Sequence, residues 1–135
     1  MQSEPQPRHV LVINDDREIL RVYTEILTEE GYLVSIDVVP PTDLSPVHAA
    51  NPDLIVLDLI VGHQDRGTAF LELLKGDPAT RAIPVVVCSA DSQRLADLAG
   101  QLRAWGCGVV TKPFDLDVFV GAVRAGLAEA AGRRS

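Results

Sequence analysis

His9 to Asn14 reads HVLVIN, a short β-branched run, and beyond it Ile19, Val22, Tyr23 and Ile26 recur at the i, i+3, i+4, i+7 spacing of one helix face. A strand and then a helix are predicted, with Gly31 as the stop. The alternation continues down the chain. Leu33 to Val39 predicts a second strand, ended by Pro40 and Pro41, and TDLSPVHAAN holds a short helix with Ser45 as cap and Pro46 in its first turn. Asp53 to Asp58 predicts the third strand, and GTAFLELLKG a helix whose Phe70, Leu71 and Leu74 share a face. Ile83 to Ala90 is the fourth strand, and SQRLADLAGQLRAWG a helix stopped by Gly106. GVVT makes the fifth strand. The last helix starts at Asp115, a suitable N-cap, with Leu116, Val120, Val123 and Leu127 on one side. Gly121 and Gly126 each weaken it by about 1 kcal/mol relative to alanine.

Five strands alternating with five helices require right-handed crossovers, so the predicted fold is α/β, a doubly wound five-stranded parallel sheet covered on both faces. Residues 1–8 and 131–135 read as flexible tails around a single domain, 9–130. The length of 135 residues and 47% hydrophobic content suit one domain with its own core. A net charge of −7, with no Lys/Arg stripe interleaved with aromatics, argues against direct nucleic-acid binding. No apolar stretch approaches the ~18 residues of a membrane span, and the opening MQSEPQPRH has no hydrophobic segment of the signal-peptide kind, so the cytoplasm is expected. Cys88 and Cys107 lack metal-ligand spacing and read as structural thiols.

Candidate chemistry gathers where the strands stop. The first ends at Asn14-Asp15-Asp16, the third at Asp58, the fourth at Ser89 and the fifth at Thr111-Lys112-Pro113. In a parallel sheet these ends share one edge, outside which ligands bind. Asp58 trails the apolar run LIVL, where an unpaired carboxylate is costly. Crowded carboxylates need a cation; Lys112 supplies one charge, and Mg²⁺, which takes carboxylate, water and phosphate oxygens, would supply the rest. Asp58 can then act as a nucleophile toward phosphorus, with Lys112 and the Ser89 hydroxyl taking up phosphoryl charge. Singly, each residue has an ordinary reading: Asp15 or Asp16 caps a helix, Ser89 is a strand-end hydroxyl, Lys112 a solvated loop lysine. Their conjunction at four strand ends carries the argument.

The segments VLVINDDREIL, PDLIVLDL, DPATRAIPVVVCSA and VVTKPF, in that order, make the chain resemble the response-regulator receiver domain of two-component signalling, the CheY-like superfamily, from about Arg8 to Glu129. The resemblance implies a flavodoxin-like sheet of strand order 2-1-3-4-5. It implies that Asp58 accepts a phosphoryl group from the phosphohistidine of a histidine kinase or phosphotransfer protein, with Mg²⁺ required. It further implies that Asp15 and the main-chain oxygen of Ile60 ligate the metal, and that Ser89 and Lys112 bind the phosphoryl oxygens. No enzymatic activity beyond self-catalysed transfer and hydrolysis is implied. With no output domain expected after the last helix, signalling would run by protein contact, through the surface of the fourth helix, fifth strand and fifth helix, near which Trp105 lies. A homodimer stays open.

The departures from the family pattern are specific. The first member of its acidic pair is the amide Asn14, which can still hold a metal-bound water, and Asp16 is an extra acid that could compensate. The family's proline four residues beyond the phosphoacceptor is Gly62, and the loop VGHQDRG is about one residue longer, so it is expected to be mobile; His63 reads first as a solvated loop histidine, with a place near the site as the alternative. The switch aromatic three residues before the lysine is Val109. Asn14, Gly62 and Val109 keep open a phosphorylation-independent interaction module. A phosphatase of the haloacid-dehalogenase type would need a second aspartate at position 60, which is isoleucine. A flavodoxin-type flavin site would need a phosphate cradle where NDDRE would repel an anion.

Overall fold

The structure is a computed structural model that describes residues 7–38, 42–61, 64–112 and 115–134. Strand β1 (His9–Ile13) leads into helix α1 (Arg17–Glu29), β2 (Leu33–Asp37), α2 (Ser45–Ala50) and β3 (Leu54–Asp58). Then come α3 (Gly67–Gly76), β4 (Val85–Ser89), α4 (Ser92–Ala104), β5 (Gly108–Thr111) and α5 (Leu116–Arg134). The five strands form one parallel sheet in the order 2-1-3-4-5, as expected.

Residues of alternate parity feed the two faces of this sheet. Val10, Val12, Val56 and Val86 pack against α1 and α5, while Leu11, Ile13, Ile55 and Leu57 pack against α2, α3 and α4. All five residues of β3 are buried, which explains why its sequence is apolar without alternation.

Local chemistry sets the ends of the elements. Asp16 caps α1, its Oδ1 accepting the N–H groups of Glu18 (3.0 Å) and Ile19 (3.3 Å). Gly31 and Gly106 follow α1 and α4 at φ +93° and +70°, the left-handed conformation that suits glycine at a helix stop. Asp91 caps α4 by accepting the Arg94 N–H at 2.9 Å. The Asp115 carbonyl accepts from Val118 and Phe119, which puts Asp115 at the start of α5 as expected.

Several expected details differ. On α1 the buried stripe is Leu20, Tyr23 and Leu27, and Val22 is 40% exposed; two overlapping apolar stripes exist in the sequence, and the sheet takes the second. On α5 Leu116 is exposed and Phe119 replaces it in the core. Ser45 is the first helical residue of α2 rather than its cap; Leu44 holds the cap position and Asp43 accepts the Ser45 N–H at 2.8 Å. Pro46 does sit in the first turn. The second, third and fourth strands are shorter than predicted, because pairing begins or ends one to two residues inside each apolar run. Val39 to Pro41 lie outside the described residues. In the segment expected to be a mobile loop, Ile60–Val61 pairs antiparallel with Gln64–Asp65; Gly62 and His63 lie outside the described residues. The last helix continues to Arg134, where a tail was expected from residue 131.

Candidate functional site

The parallel register sets the site. Ile13 lies beside Leu57, Asp58 beside Cys88, and Ser89 beside Thr111, so Asn14 to Asp16, Asp58, Ser89 and Lys112 all leave the sheet at its carboxyl edge. Asp58 is 7% exposed, and Lys112 Nζ donates to its Oδ2 at 3.1 Å across 54 residues of sequence. The bland reading of a solvated loop lysine fails: this side chain is 21% exposed and holds the carboxylate that the buried strand delivers. An ion pair this enclosed is a poor source of stability, because desolvation opposes the Coulomb gain. Its presence points to chemistry.

Ser89 is buried, and its Oγ accepts the Asp91 N–H at 3.1 Å, while its carbonyl accepts the Lys112 N–H at 2.9 Å. The turn after β4 and the lysine after β5 are therefore held to each other through Ser89. Asp58, Ser89, Ala90, Asp91 and Lys112 line one open cavity of about 270 Å³. A carboxylate, a hydroxyl and an ammonium facing a shared polar cavity suit a tetrahedral oxyanion attached to Asp58.

The β1 end contributes differently at each position. Asn14 is buried, its N–H donating to the Asp37 carbonyl at 3.1 Å and its Oδ1 accepting the Asp16 N–H at 2.9 Å, so the amide shapes the turn that follows β1. Asp15, next in that turn, is exposed. Asp16 has one carboxylate oxygen committed to the α1 cap. Asp15 and Asp58 are the carboxylates of the expected ligand set that lie outside a helix cap. Among the described residues no three His, Cys, Asp or Glu side chains gather into a metal cluster.

Three supports of the site were not singled out from the sequence. Gly67 opens α3 directly against the backbone of Asp58 and Leu59: a Cβ there would lie 2.6 Å from Leu59 Cα and 2.9 Å from the Asp58 carbonyl oxygen. A glycine at the first position of an apolar helix, just after the site loop, was the available signal. Arg94 Nη2 donates to Thr68 Oγ1 at 3.3 Å, tying the start of α4 to the start of α3. Beneath the site Tyr23 stacks on Phe119 with ring centroids 4.3 Å apart. Burial raises its phenol well above the ordinary range, and Cys88 and Asp58 nearby raise it further. Burial likewise pushes the Cys88 thiol up to about 12; Lys112 draws it down and Asp58 adds to the rise. Both cysteines are free, with Cys107 half-buried, as structural thiols should be.

Val109, in the position of the missing aromatic, is 45% exposed and lines a groove with Leu95, Ala99 and Leu102 of α4. Trp105 is half-buried and packs against the α3–α4 side of the core. Among the described residues no helix is long and apolar enough to cross a membrane.

Comparison with known proteins agrees with this geometry. The family model for the response regulator receiver domain matches residues 10–124. The response regulator PleD of Caulobacter vibrioides is 36% identical over 106 residues, which are 78% of this chain and 23% of that protein. The chain thus spans about a quarter of that relative's length, and at most about half of the other curated relatives it matches. A receiver domain of a signal transduction histidine kinase from Syntrophus aciditrophicus superposes with a TM-score of 0.76 at 27% identity, covering 90% of this chain and 91% of that one. A CheY-like receiver domain protein from Methanospirillum hungatei JF-1 gives 0.80 at 19% identity, with 95% and 99% covered, a likeness of fold. An enclosed Asp58–Lys112 pair at the carboxyl edge of a 2-1-3-4-5 sheet, within a family match that runs from β1 into α5, makes the chain a member of the response-regulator receiver domain family of two-component systems.

Proposed function

We propose that Asp58 is a phosphoacceptor that takes a phosphoryl group from the phosphohistidine of a histidine kinase or phosphotransfer protein, and that the modified domain signals by contact with another protein. The observation that carries this reading is the 3.1 Å contact between Lys112 Nζ and Asp58 Oδ2 at the mouth of a cavity shared with Ser89. In the reaction, an Asp58 carboxylate oxygen attacks phosphorus as the phosphorus–nitrogen bond to histidine breaks, and the electron pair leaves with the imidazole. Lys112 then follows the charge from the carboxylate onto the phosphoryl oxygens, and Ser89 turns its hydroxyl from accepting the Asp91 N–H to donating toward the new anion.

The donor set fits Mg²⁺, which is held through one or two carboxylates, carbonyl oxygen and water rather than by a cage of acids. Asp15, Asp58 and the Ile60 main-chain oxygen would hold it, with Asn14 acting through water. The ion supplies charge neutralisation between carboxylates and incoming phosphate. Asp16 serves as the α1 cap and contributes long-range charge rather than a ligand. Val109 supplies no ring to reorient, so output runs through the turn at Ser89 to Asp91 and the α4–β5–α5 face, without the rotamer switch of other family members. A cytoplasmic location follows from a kinase donor.

Intact-mass measurement with acetyl phosphate, with and without Mg²⁺, tests the reading. Wild type gains one phosphoryl group only with the metal, and Asp58→Asn gains none. A wild-type chain that stays unmodified in excess Mg²⁺ would leave the phosphorylation-independent interaction module as the function.

A further inference from the structure

We infer that the outer edge of β2, together with the groove between it and α1, is a contact with a second copy of this chain, related by a two-fold axis perpendicular to the sheet. Among the described residues only β1 pairs with β2, so the strand's other edge carries main-chain donors and acceptors that no strand of this copy takes up. Two hydrogen bonds fix which groups those are. The Leu33 N–H donates inward to the Arg8 carbonyl at 2.9 Å, and the Asp37 carbonyl accepts inward from Asn14 at 3.1 Å. By the period-two alternation of a strand, the N–H and C=O groups of Val34 and Ile36 point outward.

Nothing in β2 guards this edge in the usual way. The sequence LVSID has no lysine and no proline, and its one charge, Asp37, stands at the end of the strand. Ile36 pairs in register with Val12, on the face covered by α1, yet it is 54% exposed. Beside it an apolar groove of about 340 Å³ runs between Ile36 and Val38 on one side and Leu20 and Thr24 of α1 on the other.

The charges along the groove identify the occupant. Arg17 and Arg21 line its start on α1, and Glu25 follows one helical turn later. A two-fold axis through the neighbourhood of Ser35 sets the two β2 strands antiparallel and keeps both α1 helices on the same face, running in opposite directions. Each Val34 then lies opposite the second copy's Ile36 as a hydrogen-bonded pair, giving four main-chain bonds. Arg21 of each copy meets Glu25 of the other, the reciprocal contact that a two-fold interface demands. An unrelated partner would have no reason to match a sign change along one helix; a second copy matches it automatically.

Sedimentation equilibrium of the unphosphorylated 135-residue chain over a concentration series tests this. The chain is expected to dimerise at or below about 100 μM. Ile36→Lys, at an exposed site that the fold tolerates, should leave a monomer. Arg21→Glu and Glu25→Arg should each weaken the dimer about tenfold, since each turns two attractive pairs into repulsive ones. The double variant Arg21→Glu/Glu25→Arg should recover wild-type association. A wild type that stays monomeric to about 1 mM overturns the inference and leaves the groove to a different chain. A dimer indifferent to Ile36→Lys, or a double variant as weak as the single ones, overturns it as well.

Discussion

Gly67→Ala places a methyl group where the start of α3 touches the backbone at the end of β3. The added Cβ would stand 2.6 Å from Leu59 Cα and 2.9 Å from the Asp58 carbonyl oxygen, against an ordinary contact of about 3.5–4.0 Å. Both obstacles are backbone, so no side chain can swing aside. Relief requires α3 and the end of β3 to part by roughly 1 Å. That opening also lengthens the Gly67 N–H to Leu59 carbonyl hydrogen bond, now 2.9 Å. Overpacking costs about 1–3 kcal/mol and the weakened bond about 1, while alanine returns up to about 1 through helix propensity. The net loss is about 2 kcal/mol, which at roughly 3–4 °C per kcal/mol for this size lowers Tm by about 7 °C. The control is Gly121→Ala, inside α5, where the new Cβ meets nothing within 4 Å; it should gain up to about 1 kcal/mol. Urea and thermal unfolding of both variants, beside phosphate uptake from acetyl phosphate, measure the effect. Gly67→Ala should be less stable and slower to take up phosphate, because the strain falls on Asp58 itself. If it melts at or above wild type, as Gly121→Ala should, then the close approach does not constrain the site and the steric argument fails.

Asp16→Ala should cost about 1 kcal/mol in urea unfolding by removing the α1 cap, whereas Asp16→Asn, still a capping residue, should stay near wild type in both stability and Mg²⁺ affinity. A large loss of Mg²⁺ affinity in Asp16→Asn would make this residue a ligand. Lys112→Ala should slow phosphate uptake roughly 10²-fold, measured by intact mass over time; an unchanged rate would remove Lys112 from the chemistry. Alkaline stability has a definite sign. The native Cys88 thiol is held at about 12 against an ordinary 9.0, so between those values the unfolded chain gives up a proton that the native state keeps. The contribution is fully present below about pH 9 and is lost as pH rises toward 12, with Tyr23 steepening the fall in the same direction. Urea midpoints across this range should therefore decline less steeply in Cys88→Ala than in wild type; parallel declines would refute the assignment.

Much of the fold was readable because hydrophobic period and punctuation agreed. Gly31 and Gly106 stop helices in the left-handed conformation, and the apolar run ending at Asp58 is a strand buried on both faces. What the pattern could not decide was which of two neighbouring stripes a helix would bury. On α1 both Val22 and Leu20 belong to helical stripes, and only the position of the sheet excludes Val22. Caps were ambiguous for a related reason: Asp43 and Ser45 both suit the start of α2, and the choice depends on a hydrogen bond between them. At the site, the strand-end rule located Asp58, Ser89 and Lys112 from residues up to 54 apart, since a parallel sheet leaves few places for such ends to go. Gly67 and the Tyr23–Phe119 stack escaped notice, because a steric fit and a ring contact exist only between elements that the sequence separates.

The most direct measurement locates the modified atom. The chain is treated with acetyl phosphate and Mg²⁺, an acyl phosphate is reduced with borohydride to an alcohol, and the digested peptides are weighed. The expected result is reduction at position 58 alone, converting Asp58 to homoserine in a Mg²⁺-dependent yield that falls in Lys112→Ala. Reduction at another carboxylate, or at none while Mg²⁺ is in excess, contradicts it.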